Sequence, residues 1–426
     1  MSARGFVFGV DKKGYVVKPE DKDGHIMVVG GVGSGKSTRI AMPTLRAWQS
    51  RVFAVDIKGE LSNYAKRYRP NIKIFNPKDK NAYGYDPYAF LRDSSNIAQE
   101  SRAIAQLIIP LPPENKDPFW IDSAQTVLTG AILHYYNEGY SFIDTLKEIQ
   151  LNGPRSLIDT VSKSPTEKAR VCVGGFLDME DKTLSSVFAE VSRGIISLVI
   201  DDDVVSALSR ERQITPADLE YGHDVFLSVP EHLLRQWKNL LSLIINQFLS
   251  FFEQRSEKEK LPQILFLLDE FPRLGKIPFI IDALSTLRSK NITICLILQS
   301  LAQLDMTYGA NERRVMSDTC SFKAVLSATD PDTQEYFSKL VGTYDKVKKT
   351  TGGGRGFSTL TAQDTISETT EERRRIKPED FATLNNVVFL APKGAHQTHE
   401  SQSKAEKAAP IRVKEPRSGK ILKRHD

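Results

Sequence analysis

Gly30-Gly31-Val32-Gly33-Ser34-Gly35-Lys36-Ser37 directly follows the apolar run His25-Ile26-Met27-Val28-Val29, and this junction decides how the rest of the chain reads. The spacing is G-x-x-x-x-G-K-[ST]. In that pattern glycines let the backbone turn inward so that successive N–H groups face phosphate oxygens, while the helix that follows offers its positive end. Lys36 is placed to neutralise the outer phosphates and Ser37 to give its hydroxyl to Mg²⁺, and Thr38 opens a helix through Ile40, Ala41 and Leu45. Gly30, Gly31, Val32, Gly33, Ser34, Gly35, Lys36, Ser37 and Thr38 are therefore the candidate ATP-binding residues. The competing reading is a glycine-rich surface loop; the position between strand and helix favours a phosphate cradle.

A loop that binds a triphosphate does not by itself imply hydrolysis, which also needs an apolar strand ending in acid. Ile264-Leu265-Phe266-Leu267-Leu268 is a continuous apolar run that ends in Asp269-Glu270, as in a parallel strand covered on both faces. Asp269 and Ser37 are the candidate Mg²⁺ ligands, and Glu270 is the candidate group to polarise the attacking water. A buried strand ending in a solvated acidic turn is the alternative. A third run, Ile292 to Leu298, ends in Gln299-Ser300, with Gln303 close behind. Ligands gather at the carboxyl ends of strands in open α/β sheets, so Gln299 is a candidate to sense the γ-phosphate or orient water. It could equally cap the next helix.

Strand-like runs recur at Arg51 to Ile57, Ile72 to Phe75, Asp224 to Val229, Gln263 to Leu268, Ile292 to Leu298, Phe322 to Leu326 and Val387 to Ala391. Helical segments separate them. The alternation predicts an α/β fold with a mostly parallel sheet. Between about Phe90 and Pro216 the period changes: Trp120, Ala124, Val127, Leu128, Ala131, Ile132 and Tyr135 share one helical face, as do Leu184, Val187, Phe188, Val191 and Ile195. The expected organisation is a nucleotide-binding domain in two parts, 1–90 and 217–400, an all-α domain inserted at 91–216, and a disordered tail of mixed charge at 401–426. Lys346 to Arg375, which includes Gly352-Gly353-Gly354-Arg355-Gly356, reads as a long mobile loop.

At 426 residues the chain exceeds the usual size of one domain. A formal charge of +5 is too mild to diagnose nucleic-acid binding. Three widely spaced cysteines, Cys172, Cys295 and Cys320, argue against a disulfide framework and a zinc site and suit a reducing compartment. No run approaches 18 consecutive apolar residues and no signal-peptide core is present, so the chain as given reads as soluble. Lys66, Arg67 and Arg69, and Arg313 with Arg314, are the basic clusters that could touch DNA phosphates; a solvated surface is the plainer reading of each.

Taken together, His25 to Ser37, Asp56-Ile57-Lys58-Gly59-Glu60-Leu61, Phe119-Trp120 with Ala124, Leu267-Leu268-Asp269-Glu270-Phe271, Gln299-Ser300 with Gln303, and Arg374-Arg375-Ile376-Lys377-Pro378-Glu379-Asp380 resemble the coupling ATPases of type IV secretion and conjugation systems. The matches run in the family's order from about residue 24 to 395. The Lys58-Gly59-Glu60 and Arg-x-x-x-Pro-Glu-Asp elements are more particular than the two ATP motifs. The resemblance implies a RecA-like P-loop NTPase core with an all-α insertion, assembling as a homo-hexamer. It implies ATP hydrolysis with Mg²⁺, stimulated by DNA bound without sequence preference and coupled to delivery of DNA or a relaxase nucleoprotein into a secretion channel. It also makes Arg288 a catalytic candidate, a finger reaching a neighbouring subunit's ATP, where such a charge raises turnover by roughly 10³ to 10⁵. A cation at a helix C-terminus is the alternative for Arg288.

Most members of the family carry transmembrane helices ahead of the phosphate loop, whereas 29 residues precede Gly30 here. The expectation is a cytoplasmic protein peripheral to the inner membrane, either cut from a longer chain or held there by a membrane partner among the channel components. Two other functions stay open: a nucleotide-switched docking receptor for secreted protein substrates, and a DNA pump unconnected with secretion.

Overall fold

The computed structural model describes residues 4–11, 14–111, 117–257, 261–352, 365–384, 386–392 and 411–413. Its strands are β1 (Phe6–Asp11), β2 (Gly14–Lys18), β3 (Ile26–Gly30), β4 (Arg51–Asp56), β5 (Ile72–Phe75), β6 (Asp224–Ser228), β7 (Ile264–Leu268), β8 (Ile292–Leu298), β9 (Phe322–Ser327), β10 (Thr343–Gly352), β11 (Thr365–Arg374), β12 (Val387–Leu390) and β13 (Ile411–Val413). Nine of them form one sheet in the order β13-β12-β9-β3-β8-β7-β4-β6-β5. From β9 to β5 every pairing is parallel, and β12 and β13 add an antiparallel edge. Each run read as a strand from the sequence is one, with its ends within one residue of those expected.

The central strands are apolar at every position because both faces of the sheet are covered. Successive side chains point to opposite sides, so Val29, Phe53, Val55, Phe266, Leu268, Ile294 and Leu296 face one core and Val28, Val52, Ala54, Leu265, Leu267 and Ile297 the other. The second core is closed by Ile40, Leu45 and Trp48 and by the β1–β2 hairpin, whose Phe8 ring stacks 4.1 Å from Phe389. The first is closed by helices that include Ile97–Ile108, Phe119–Asn137, Asp181–Val199 and Leu234–Phe251.

The described part of 91–216 carries helices throughout, and the two faces read from its periodicity lie on Phe119–Asn137 and Asp181–Val199. Its apolar residues form one continuous core with the adjoining face of the sheet. Two expectations need correction. Lys346 to Arg375 reads from composition as a mobile loop, whereas Thr343–Gly352 and Thr365–Arg374 pair in register as a ten-residue antiparallel ribbon. Runs such as Lys348-Lys349-Thr350-Thr351 have no apolar alternation, so the strand signal was invisible there; Gly353, Gly354, Arg355 and Gly356 lie outside the described residues. Ile411–Val413, within the expected disordered tail, adds to the sheet edge at β12; three residues are too short a run for alternation to mark a strand. The rest of 401–426 lies outside the described residues.

Candidate functional site

The order β9-β3-β8-β7-β4 brings the carboxyl ends of β3, β8, β7 and β4 side by side, and each ends in a residue with chemistry. The turn after β3 needs its glycines. A Cβ at Gly30 would stand 2.4 Å from Ser34 Oγ, Gly33 and Gly35 have φ of +75° and +84°, and a Cβ on Gly35 would meet the Arg39 side chain at 2.9 Å. Left-handed backbone of this kind favours glycine. The helix begins at Lys36, two residues before the expected Thr38, with a widened turn over Lys36–Ala41 ahead of Met42–Ala47. Pro43 has no N–H to give to Arg39 O and its ring crowds that carbonyl, which accounts for the wider turn.

Lys36 is buried and folds back over the turn, its Nζ donating to Gly30 O at 2.7 Å and Gly31 O at 3.5 Å and lying 3.7 Å from Glu270 Oε1. Ser37 is half-buried on the first helical turn, and Thr38 is exposed with its hydroxyl donating to Gly35 O. Val32 stands out at the tip of the loop, 87 % exposed. On β7, burial and the neighbouring Glu270 push the Asp269 carboxyl up to about 6, with Lys36 partly offsetting them. Glu270 sits in the left-handed region, φ 49° and ψ 40°, a conformation that costs a non-glycine residue about 1 kcal/mol or more. Its N–H donates to Asp269 Oδ1 and its Oε2 accepts from Gln299 Nε2 at 2.9 Å. Lys36, Asp269, Glu270 and Gln299 thus meet in one place although 263 residues of sequence separate the first from the last.

Asp56, at the end of β4, also belongs to this edge. Its carboxylate accepts from Leu61 N (3.3 Å) and Ser62 N (2.8 Å), and its charge raises the proton affinity of Asp269. The signal was present, since an apolar run ending in acid recurs at Val52-Phe53-Ala54-Val55-Asp56. Arg288 is placed differently: it is exposed in the turn Leu287–Lys290 that precedes β8, at the opposite end of the sheet from Lys36. The Arg374 to Asp380 element serves the fold. Arg374 grips Glu335 with both terminal nitrogens, Ile376 is buried with its carbonyl bonded to Ser338 Oγ, and Asp380 accepts from Lys377 N. Arg69, one of the basic residues considered for DNA, is buried, paired with Asp224 at 2.6 Å and bonded to Leu45 O and Trp48 O, so it is unavailable to phosphates. Its partner Asp224 opens β6, 155 positions further along the chain, so a local cluster of basic residues does not reveal the pair.

The residues fit a Mg²⁺-bound triphosphate. Ser34 Oγ is buried in the turn without a hydrogen-bond partner, a Cβ at Gly30 or Gly35 would collide with the turn itself, and Lys36 and Asp269 flank the cradle.

A parallel sheet with a glycine-rich turn after one strand and an Asp-Glu pair at the end of the strand next but one defines a RecA-like P-loop fold. The chain belongs to the family described as Type IV secretory system Conjugative DNA transfer, which matches over residues 3–391. It is 26 % identical to protein VirD4 of Rhizobium rhizogenes over 334 residues, 75 % of this chain and 49 % of the relative. It is 25 % identical to the conjugal transfer protein TraG of Rhizobium radiobacter over 351 residues, 77 % of this chain and 54 % of the relative. The chain spans about half the length of these curated relatives. Among solved structures, the bacterial conjugative coupling protein TrwBΔN70 shares the fold with a TM-score of 0.70 at 18 % identity, covering 97 % of this chain and 89 % of that one. The plasmid coupling protein TrwB in complex with ADP and Mg²⁺ gives 0.64 at 18 % identity, covering 92 % and 85 %. Among the described residues no single helix is long and apolar enough to cross a membrane.

Proposed function

We propose that this chain is the motor part of a coupling ATPase that links ATP hydrolysis to recruitment and movement of DNA or nucleoprotein into a type IV secretion channel. The observation that carries the reading is the convergence of Lys36, Asp269, Glu270 and Gln299 on the glycine-rich turn. Gly30 to Thr38 hold the phosphates of ATP through backbone N–H groups and the helix N-terminus. Lys36 leaves Gly30 O and Glu270 to neutralise the outer phosphates. Ser37 and Asp269 would hold Mg²⁺, which supplies charge neutralisation at the β- and γ-phosphates when bound. Glu270, kept in place by Gln299, orients the attacking water and accepts its proton.

Arg288 cannot serve its own site from the far end of the sheet, which supports a ring in which each subunit offers it to the next. The family's description as conjugative DNA transfer supports DNA as cargo, and we propose a hexamer that works at the cytoplasmic face of the inner membrane with the channel components. The 91–216 stretch is proposed as an all-α domain inserted between the two parts of the nucleotide-binding domain, and 401–426 as a tail. ATP turnover measured with and without single- and double-stranded DNA tests this. Lys36→Ala is expected to lose nucleotide affinity. Glu270→Gln is expected to bind ATP normally and to turn over at least 10²-fold more slowly. Glu270→Gln turning over ATP at the parent rate removes Glu270 as the base, and a parent that ignores ATP removes the motor.

A further inference from the structure

We infer that Gln303, on the helix Leu301–Tyr308, is a positioning residue that sets the orientation of the Gln299 amide and through it the Glu270 carboxylate. The inference rests on the proposed hydrolysis by Glu270.

The Gln303 side-chain amide bonds both the backbone and the side chain of Gln299. Gln299 N–H donates to Gln303 Oε1 and Gln303 Nε2 donates to Gln299 Oε1, both at 3.4 Å. A side-chain amide can flip, exchanging its donor and acceptor ends. With Gln299 Oε1 engaged by Gln303, the NH₂ end of Gln299 points at Glu270, where it donates at 2.9 Å. The flipped amide would set a carbonyl oxygen against the Glu270 carboxylate, a repulsive contact, and would face the Gln303 NH₂ with another NH₂.

The same helix holds the other side of Glu270. Thr307, one turn beyond Gln303, donates from Oγ1 to Pro272 O at 3.3 Å and to Gln303 O at 3.2 Å, and Pro272 lies in the turn Phe271–Leu274 that follows Glu270. Residues four apart share a helical face, so Gln303 and Thr307 act together, one on the side chain of Glu270 through Gln299 and the other on the turn Phe271–Leu274 that follows it. The start of the helix is itself fixed, Leu301 N donating to Thr333 Oγ1 at 2.9 Å. When Lys36 moves to the phosphates, Glu270 loses its cation but keeps this amide relay. The base therefore stays aimed while its charge partner changes.

The test is the Gln303→Met variant, which keeps length and packing but has no hydrogen-bonding end, together with Gln303→Glu, which can accept from Gln299 N–H but has no NH₂ to donate. Both are expected to lower kcat roughly tenfold, a fraction of what a positioned base contributes, with KM for ATP and equilibrium binding of a fluorescent ATP analogue unchanged. In a Gln299→Ala background the Gln303 substitutions are expected to add nothing. A Gln303→Met enzyme with parent kcat, or one whose effect adds to that of Gln299→Ala, overturns the relay. The crystal structure of Gln303→Met gives a readout free of turnover: Gln299 is expected to release Glu270, and a Gln299–Glu270 hydrogen bond left intact refutes the inference even if the parent proves not to hydrolyse ATP. Parent turnover measured alongside separates failure of the relay from failure of the hydrolysis reading.

Discussion

At the scale of the residue, the candidate nucleotide site is an economy of charge. Asp269 is buried and raised to about 6 beside Glu270, while Lys36 stands between two backbone carbonyls and Glu270 and offsets part of what burial and Glu270 impose on Asp269. Lys18 shows the cost of such burial without a carboxylate in contact. It is fully buried at the start of the fold, its ammonium 3.2 Å from Thr293 Oγ1 and 5.8 and 5.7 Å from the Trp48 and Phe322 rings. Burial, partly offset by Asp23, Asp21 and Glu20, lowers it to about 8. The unfolded chain keeps an ordinary lysine near 10.4, so between about pH 8 and 10 the unfolded state binds more protons and stability rises with pH. Below that window the penalty is constant and fully present. Lys18→Met is expected to stabilise the protein by about 2 kcal/mol at pH 7, with the gap to the parent closing as pH rises towards 10. Urea unfolding of both proteins at pH 7 and 9.5 checks it; a gap that stays the same at both pH values contradicts the sign.

The elements of the sheet were legible because a doubly covered parallel strand is apolar at every position, and the acids at the ends of β4 and β7 stand out against it. The ribbon β10–β11 was not legible, since its backbone pairs without an apolar face to mark it. At the candidate nucleotide site, the cluster of Gly30 to Ser37 and Asp269-Glu270 is proposed from spacing, whereas the contact of Gln299 with Glu270 and its backing by Gln303 depend on which strands become neighbours. Asp56 illustrates the same limit: as a strand-end acid it was visible, but its work as the cap of Glu60–Ala65 follows only from the turn at Gly59, whose φ is 71°. That helix has six residues, too few to persist alone, and Asp56 satisfies two of its unpaired N–H groups. Asp56→Ala is expected to destabilise the protein by about 1–2 kcal/mol and Asp56→Asn by less. Thermal and urea unfolding distinguish them; equal stability of Asp56→Ala and parent would mean the cap is replaced by water without loss.

For the whole molecule, the sheet sets the geometry of any assembly, because its two ends carry different chemistry. Lys36 and Glu270 lie where β3 and β7 finish, and Arg288 lies where β8 begins. If Arg288 completes an ATP site, that site belongs to another copy, and the interface is head-to-tail, the kind that closes into rings. The consequence is complementation between two inactive proteins. Arg288→Ala keeps a complete phosphate cradle but gives its neighbour no cation; Lys36→Ala cannot hold the phosphates but still presents Arg288. Mixed in equal amounts and exchanged at random, about a quarter of interfaces would pair an intact cradle with an intact finger. ATP turnover is therefore expected to return to about a quarter of the parent rate if interfaces act independently, and to fall off when either variant is in large excess. Each variant alone is expected to stay inactive, Arg288→Ala with ATP binding retained. A mixture no more active than its components, from subunits shown by light scattering to co-assemble, would assign Arg288 to its local turn and remove it as a trans-acting cation.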